Sequence, residues 1–207
     1  MSEDTVFRSV AAVLMATMIA ISIFFRHRAD QTGGRVGRHE EPTPVRIGLS
    51  LSGLLGFGGL LAYFFWPTLL APTMLAVPVW VRWVGVALLA ASTLVTCWIF
   101  RALGANVTRT VVAREGATLG TTGPYRFVRH PLYTNGALAF TALSLLTTSW
   151  WFLASVAIGM ALLAVRTRQE EAHLAARFGA GWSAYAATTG RFLPRLRPTA
   201  PPGVAVR

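Results

Sequence analysis

Long uncharged runs alternate along the chain with short segments rich in arginine. Ser9 to Phe25 is a 17-residue run without charge, closed by Arg8 and Arg26. A bilayer core takes ~17–25 apolar residues as a helix, so this run predicts a first membrane span. A cleaved leader fits less well, because the opening Met1-Ser2-Glu3-Asp4 is acidic and no small-x-small site follows. Ile47 to Val81 carries no charge over 35 residues. Pro67, Pro72 and Pro78 divide it, so one helix is predicted to end near Pro67 and another to run from near Pro78 to Phe100. Arg82, near the start of the latter, is expected to snorkel to the interface beside Trp80 and Trp83. Pro131 to Val165 is another uncharged stretch of 35 residues. As one helix it would measure ~52 Å against a ~30 Å core. The polar and aromatic Thr147-Thr148-Ser149-Trp150-Trp151 at its midpoint predicts two helices joined by a tight turn.

Beyond Val165, Arg166 and Glu170 stand four apart on one helical face, and Leu174, Phe178 and Trp182 extend nearly the same stripe. The expected fold is therefore an all-α integral membrane protein of about five transmembrane helices with a cytoplasmic carboxyl-terminal amphipathic helix. Three regions are expected: residues 1–100 with three spans, 101–194 as the core that carries chemistry, and 195–207 as a basic, proline-containing tail.

Composition narrows the class. The chain is 54% hydrophobic and 13% charged, with mean hydropathy +0.52. A soluble domain carries about 25% charged residues, so a soluble globule and a disordered chain are both excluded. The formal net charge is +11, and all 19 basic residues are arginines. Segments 26–46, 101–129 and 166–207 hold five, five and seven of them, whereas the turns near 67–78 and 147–151 hold none. The positive-inside tendency then sets the amino terminus outside and the carboxyl terminus in the cytoplasm. An all-arginine basic set points to a high-GC bacterium, so the membrane is expected to be a bacterial inner membrane, and the arginine counts set the chemistry on its cytoplasmic face. Cys97 is the single cysteine, which excludes an internal disulfide. His27, His39 and His173 share no metal-ligand spacing, and no metal is expected. Arg191-Phe192-Leu193-Pro194-Arg195-Leu196-Arg197 reads as lipid-headgroup binding rather than nucleic-acid binding.

Polar and special residues are densest from Leu119 to Gly136. Gly123-Pro124 is a turn signal, and Pro131 suits the first turn of the next helix. A helix start favours an anionic ligand group, and Arg129 and His130 immediately precede it.

These residues resemble a known family. Gly123-Pro124-Tyr125, Arg129-His130-Pro131, Tyr133 and Gly136, then a hydrophobic hairpin, Glu170-Glu171 and Phe178-Gly179-x-x-Trp182, are similar to the isoprenylcysteine carboxyl methyltransferase family and the wider membrane phospholipid methyltransferases. The likeness runs from about Leu103 to Pro194. It implies S-adenosyl-L-methionine as methyl donor, S-adenosyl-L-homocysteine as product, and a lipidic or prenylated acceptor drawn from the membrane. It further implies donor contacts from Ala117, Thr118, Leu119, Gly120, Tyr125, Arg129, His130, Pro131, Leu132, Tyr133 and Glu170, with Arg166 on the acceptor side. Members acting on prenylated proteins often have histidine where this chain has Ala117.

The chemistry suits those roles. An arginine or histidine beside a helix start matches the donor carboxylate, and a glutamate matches its ammonium or ribose hydroxyls. Tyr125 and Tyr133 are suited to stacking on adenine or facing a sulfonium. A carboxylate acceptor, oriented by Arg166, needs no general base, whereas an amine acceptor needs a group to take its proton. An isoprenylcysteine-like carboxylate is the best-named substrate. A phospholipid or other hydrophobic small molecule is the alternative, and a membrane reductase of the sterol reductase type is a further one. Glu170 is expected to face inward and Glu171 to make a packing or surface contact.

Overall fold

The computed structural model describes residues 2–32, 43–104 and 119–195. Within them six α-helices follow in order: α1 (Glu3–Thr32), α2 (Thr43–Phe65), α3 (Val79–Leu103), α4 (Pro131–Thr147), α5 (Trp150–Phe178) and α6 (Ala180–Thr188). There is no extended strand among the described residues, and the chain is an all-α membrane protein. Helices α1, α2, α3 and α5 are long and apolar enough to cross a bilayer. Helix α4 has 17 residues and is therefore ~26 Å long, short of a ~30 Å hydrocarbon core. The expected five spans thus become four of full length and one shorter helix packed among them.

Proline and capping residues set the boundaries. α2 stops at Phe65, before Pro67, and α3 starts directly after Pro78. Pro131 opens α4, where a missing N–H costs nothing. Ser149 caps α5, its Oγ accepting from Trp151 N at 3.3 Å. The tight turn expected near 147–151 is present. The helix that follows it is long, however. No glycine or proline interrupts residues 160–178, so the amphipathic segment from Arg166 onward is the continuation of α5. Gly179, at φ 51°, ends it. Trp182 consequently lies on α6 and leaves the Leu174–Phe178 stripe.

α3 and α4 share the tightest seam. Gly85, Leu89, Ser92, Thr93 and Thr96 recur at helical spacing on the buried face of α3, and Asn135, Ala139, Ala142, Leu143 and Leu146 are buried on α4. Small residues at such a seam let two membrane helices approach closely where lipid supplies no hydrophobic drive. A Cβ on Gly85 would stand 2.5 Å from Leu146 N and 2.8 Å from Ala142 O. Asn135 Nδ2 donates to Ser92 O at 3.0 Å and to Thr96 Oγ1 at 2.8 Å, locking the register of the pair.

The two uncharged turns clip together at one end of the bundle. Leu75 N donates to Thr148 O at 2.8 Å, and Thr73 Oγ1 lies 2.6 Å from Ser149 Oγ. Arg82 sits at this end too, but it does not snorkel. Its side chain is 12% exposed and turns inward, Nη1 bonding Asp4 Oδ1 at 2.8 Å and Nε donating to Leu146 O at 3.0 Å. Two of its five N–H groups are thus engaged within the protein, which holds the side chain against the bundle.

Candidate functional site

At the opposite end, three segments converge on the start of α4. The first is the turn Gly123–Arg126 and the extended residues leading to His130. The second is the last third of α5, and the third is the strap 189–192 after α6. Arg129 N donates to Gly190 O at 2.8 Å and His130 N to Arg191 O at 3.1 Å, so the strap lies alongside residues 128–130. Thr134 Oγ1 donates to Phe192 O at 2.8 Å, and Tyr185 Oη from α6 donates to Tyr125 O at 2.7 Å.

Glu171 ties these segments together. Its Oε1 accepts from Arg129 Nε at 2.9 Å and from Arg191 Nε at 3.1 Å, and its Oε2 from Arg191 Nη2 at 2.5 Å. Arg129 also donates through Nη1 to the carbonyls of Ala186 and Thr189. Two guanidiniums around one carboxylate keep Glu171 ionised by direct pairing. His130, 6% exposed, lies with Nε2 3.2 Å from the same Oε1. Burial dominates its titration and holds the imidazole neutral, pushing its pKa down to about 4 against the opposing pull of Glu171. In the neutral ring the proton belongs on Nε2, where the carboxylate accepts it.

Glu170 points to the other side of this cluster. Its Oε2 accepts from Tyr133 Oη at 3.3 Å and lies 3.9 Å from His130 Nδ1. The rings of His130 and Tyr133 stack at 5.5 Å with an 8° interplanar angle, and Phe192 adds a tilted contact 5.9 Å from His130. The outcome is a patch of two aromatic rings edged by a carboxylate at a helix start. Burial raises the pKa of Tyr125, and raises that of Tyr185 to about 12, so both phenols are neutral donors at physiological pH.

His130, Pro131, Tyr133, Glu170 and Arg129 of the expected set are therefore gathered in one place. Leu132 follows in the first turn of α4, half-buried, and Tyr125 is held beneath α6. Leu119 and Gly120 are half-buried at the approach, and a Cβ on Gly120 would meet nothing within 4 Å. Ala117 and Thr118 fall outside the described residues. Arg166 stands one turn before Glu170 on α5, half-buried, with Nε sealed from solvent. Sequence reasoning missed Arg191, Thr189 and Tyr185. Arg191, read as a headgroup contact, instead pairs with Glu171, an acid twenty positions earlier that only the fold brings to it.

The sequence profile of the phospholipid methyltransferase family matches residues 80–181, from the start of α3 into α6. That segment is similar to the phospholipid methyltransferase family over just under half of the chain. The match holds the α3–α4 seam, the His130–Tyr133 pair and both glutamates of this phospholipid methyltransferase segment, and it bears out the resemblance drawn from the Gly123–Trp182 motifs. Two curated relatives are also similar. A nickel-cobalt-cadmium resistance protein of Alcaligenes xylosoxydans is 35% identical over 86 residues, 42% of this chain and 40% of that protein. A cobalt-zinc-cadmium resistance protein of Cupriavidus metallidurans is 37% identical over 87 residues, again 42% and 40%. The chain thus spans about two fifths of the curated relatives it matches.

Proposed function

We propose that the chain is an integral membrane methyltransferase that uses S-adenosylmethionine from the arginine-rich, cytoplasmic side to methylate an acceptor residing in the bilayer. The observation that carries this reading is the cluster of His130, Tyr133 and Glu170 at the start of α4, inside a phospholipid methyltransferase segment.

The residues present fit the donor. Glu170 has the charge for its ammonium or the ribose hydroxyls, the His130–Tyr133 stack offers a flat face for adenine, and the amides that begin α4 suit a carboxylate. Backbone at Ala117, Thr118, Leu119 and Gly120, with Tyr125, Pro131 and Leu132, completes the proposed contact set. Bound there, the donor supplies an electrophilic methyl group on sulfur. The protein's own work is to hold the acceptor in line with it, an effect worth up to ~7–11 kcal/mol of barrier. Arg129, committed to Glu171 and two carbonyls, holds the cofactor side by fixing the strap against α4. Arg166 is the proposed partner of the acceptor, where a guanidinium clamps a carboxylate through two parallel hydrogen bonds.

An ionised carboxylate is the favoured nucleophile. An alkylammonium acceptor would first have to lose a proton, for which His130, Glu170 and Glu171 are the candidate acceptors, and His130 is held a weak base by burial. An isoprenylcysteine-like carboxylate meets that requirement. The second reading, a phospholipid acceptor, is favoured by the description of the family itself. The curated relatives are named for resistance to divalent metals. The described residues here gather no three His, Cys, Asp or Glu side chains in ligating reach, so only the methyltransferase segment is taken from that likeness.

The test is calorimetric titration of S-adenosylhomocysteine into the detergent-purified chain. Micromolar binding, lost in Glu170→Gln and weakened at least tenfold in Tyr133→Phe, is the expected result. No binding by folded wild type would end the reading.

A further inference from the structure

A half-open cavity of about 240 Å³ lies at the far end of the bundle from the candidate site, among the ends of α1, α2, α3 and α4. Asp4, Arg8, Tyr63, Thr68, Arg82 and Thr147 line it. The space greatly exceeds the ~10–15 Å³ that one buried water needs. Two guanidiniums face one carboxylate there, and that carboxylate is already engaged: Asp4 bonds Arg82 at 2.8 Å. Arg8 lies over the Tyr63 ring, 5.7 Å from its centroid. Its Nε is sealed from solvent with no hydrogen-bond partner among the described residues, and the Tyr63 hydroxyl, equally sealed, lies against Arg82. Tyr63 is 2% exposed, on the last turns of α2, and its hydroxyl faces Arg82. Two guanidiniums beside a single carboxylate leave a surplus positive charge at the cavity, which a bound anion compensates.

The surroundings say what that is. Trp66, Trp80, Trp83 and Trp150 are all exposed at this end, an aromatic belt of the kind that marks the headgroup level of a membrane. We infer that this cavity is an anion site that takes the phosphate of an acidic headgroup, with the guanidiniums of Arg8 and Arg82 as its charge and Tyr63, packed against both, setting their positions. It is separate from the methyl-transfer region and does not depend on that reading.

The experiment is thermal unfolding of the detergent-purified full chain titrated with phosphatidylglycerol, phosphatidylcholine or inorganic phosphate. Phosphatidylglycerol is expected to raise Tm by several degrees beyond phosphatidylcholine. Arg8→Gln should need roughly ten times more lipid for the same shift, as for one lost charge-assisted hydrogen bond. Tyr63→Phe keeps the ring packing and should need a few times more. An inorganic phosphate shift with the same dependence on both variants also supports the anion site and makes a free anion its occupant. Equal shifts with both lipids, unchanged in Arg8→Gln and Tyr63→Phe and absent with phosphate, would overturn it.

Discussion

Replacing Glu171 by glutamine keeps the size of the side chain and removes the charge that holds two guanidiniums. Arg129 is 9% exposed and Glu171 13%, so that half of the clasp is close to a buried ion pair. Leaving one member of such a pair uncompensated costs ~3–5 kcal/mol. Arg191 is 35% exposed; water recovers most of its loss, and its share is discounted to below ~1 kcal/mol. Arg129 keeps the Ala186 and Thr189 carbonyls, which lowers its share toward the bottom of that range. The expected total is about 3 kcal/mol, or roughly 6–12 °C in Tm for a chain of this size. Glu170→Gln is the contrast. Glu170 carries the long 3.3 Å bond from Tyr133, and its replacement should leave Tm within about 2 °C while abolishing S-adenosylhomocysteine binding. Differential scanning fluorimetry in detergent, run beside the titration, reads both quantities. An unchanged Tm in Glu171→Gln, or a loss of Tm in Glu170→Gln as large as in its neighbour, would refute the division of labour between these adjacent acids.

Three further outcomes are expected. Gly85→Ala forces a methyl against the α4 backbone, which cannot give as a side chain does, and should lower Tm by several degrees (~1–3 kcal/mol of overpacking); Gly53→Ala, with nothing within 4 Å in the interior of α2, should not lower Tm in the same assay and should raise it slightly, by the ~0.5–1 kcal/mol that separates alanine from glycine in a helix. His130 titrates near 6.5 when unfolded and at about 4 when folded, so its contribution is complete above pH 6.5 and lost as pH falls toward 4, about 3 kcal/mol in all; a Tm-against-pH series should show that decline, flattened in His130→Asn. Thr148 holds a left-handed backbone at φ 59°, costly for a β-branched residue, and Thr148→Asn should raise Tm by ~2–4 °C on relief of about 1 kcal/mol.

The fold was legible wherever one local rule decided it. Uncharged runs and prolines located α2, α3 and the hairpin within a few residues, because helix length in a bilayer and the missing N–H of proline are local constraints. The length of α5 was less plain: a change from apolar to charged residues at Arg166 marks where a helix leaves the membrane, not where it stops. Only the glycine at 179 stops it. Arg82 defied the snorkelling expectation because its acceptors, Asp4 and Leu146 O, lie 78 and 64 residues away in sequence. In the candidate site, His130 and Glu170 could be paired from the family motif, whereas the Glu171–Arg191 clasp could not. Arg191 carries the same sequence signal as any basic residue after a last helix. Its pairing is a property of the strap that folds back along residues 128–130.

Transfer of a methyl group by this membrane chain to a lipidic acceptor can be followed with radiolabelled donor. Membranes containing the chain would be incubated with methyl-labelled S-adenosylmethionine, extracted into organic solvent, and counted beside membranes with Glu170→Gln. Label is expected in the lipid extract for the wild type, reduced at least a hundredfold in the variant. If it is a carboxyl ester, the label is released as methanol by mild base. Label that never exceeds the variant's, from protein that binds S-adenosylhomocysteine, would contradict a bilayer acceptor.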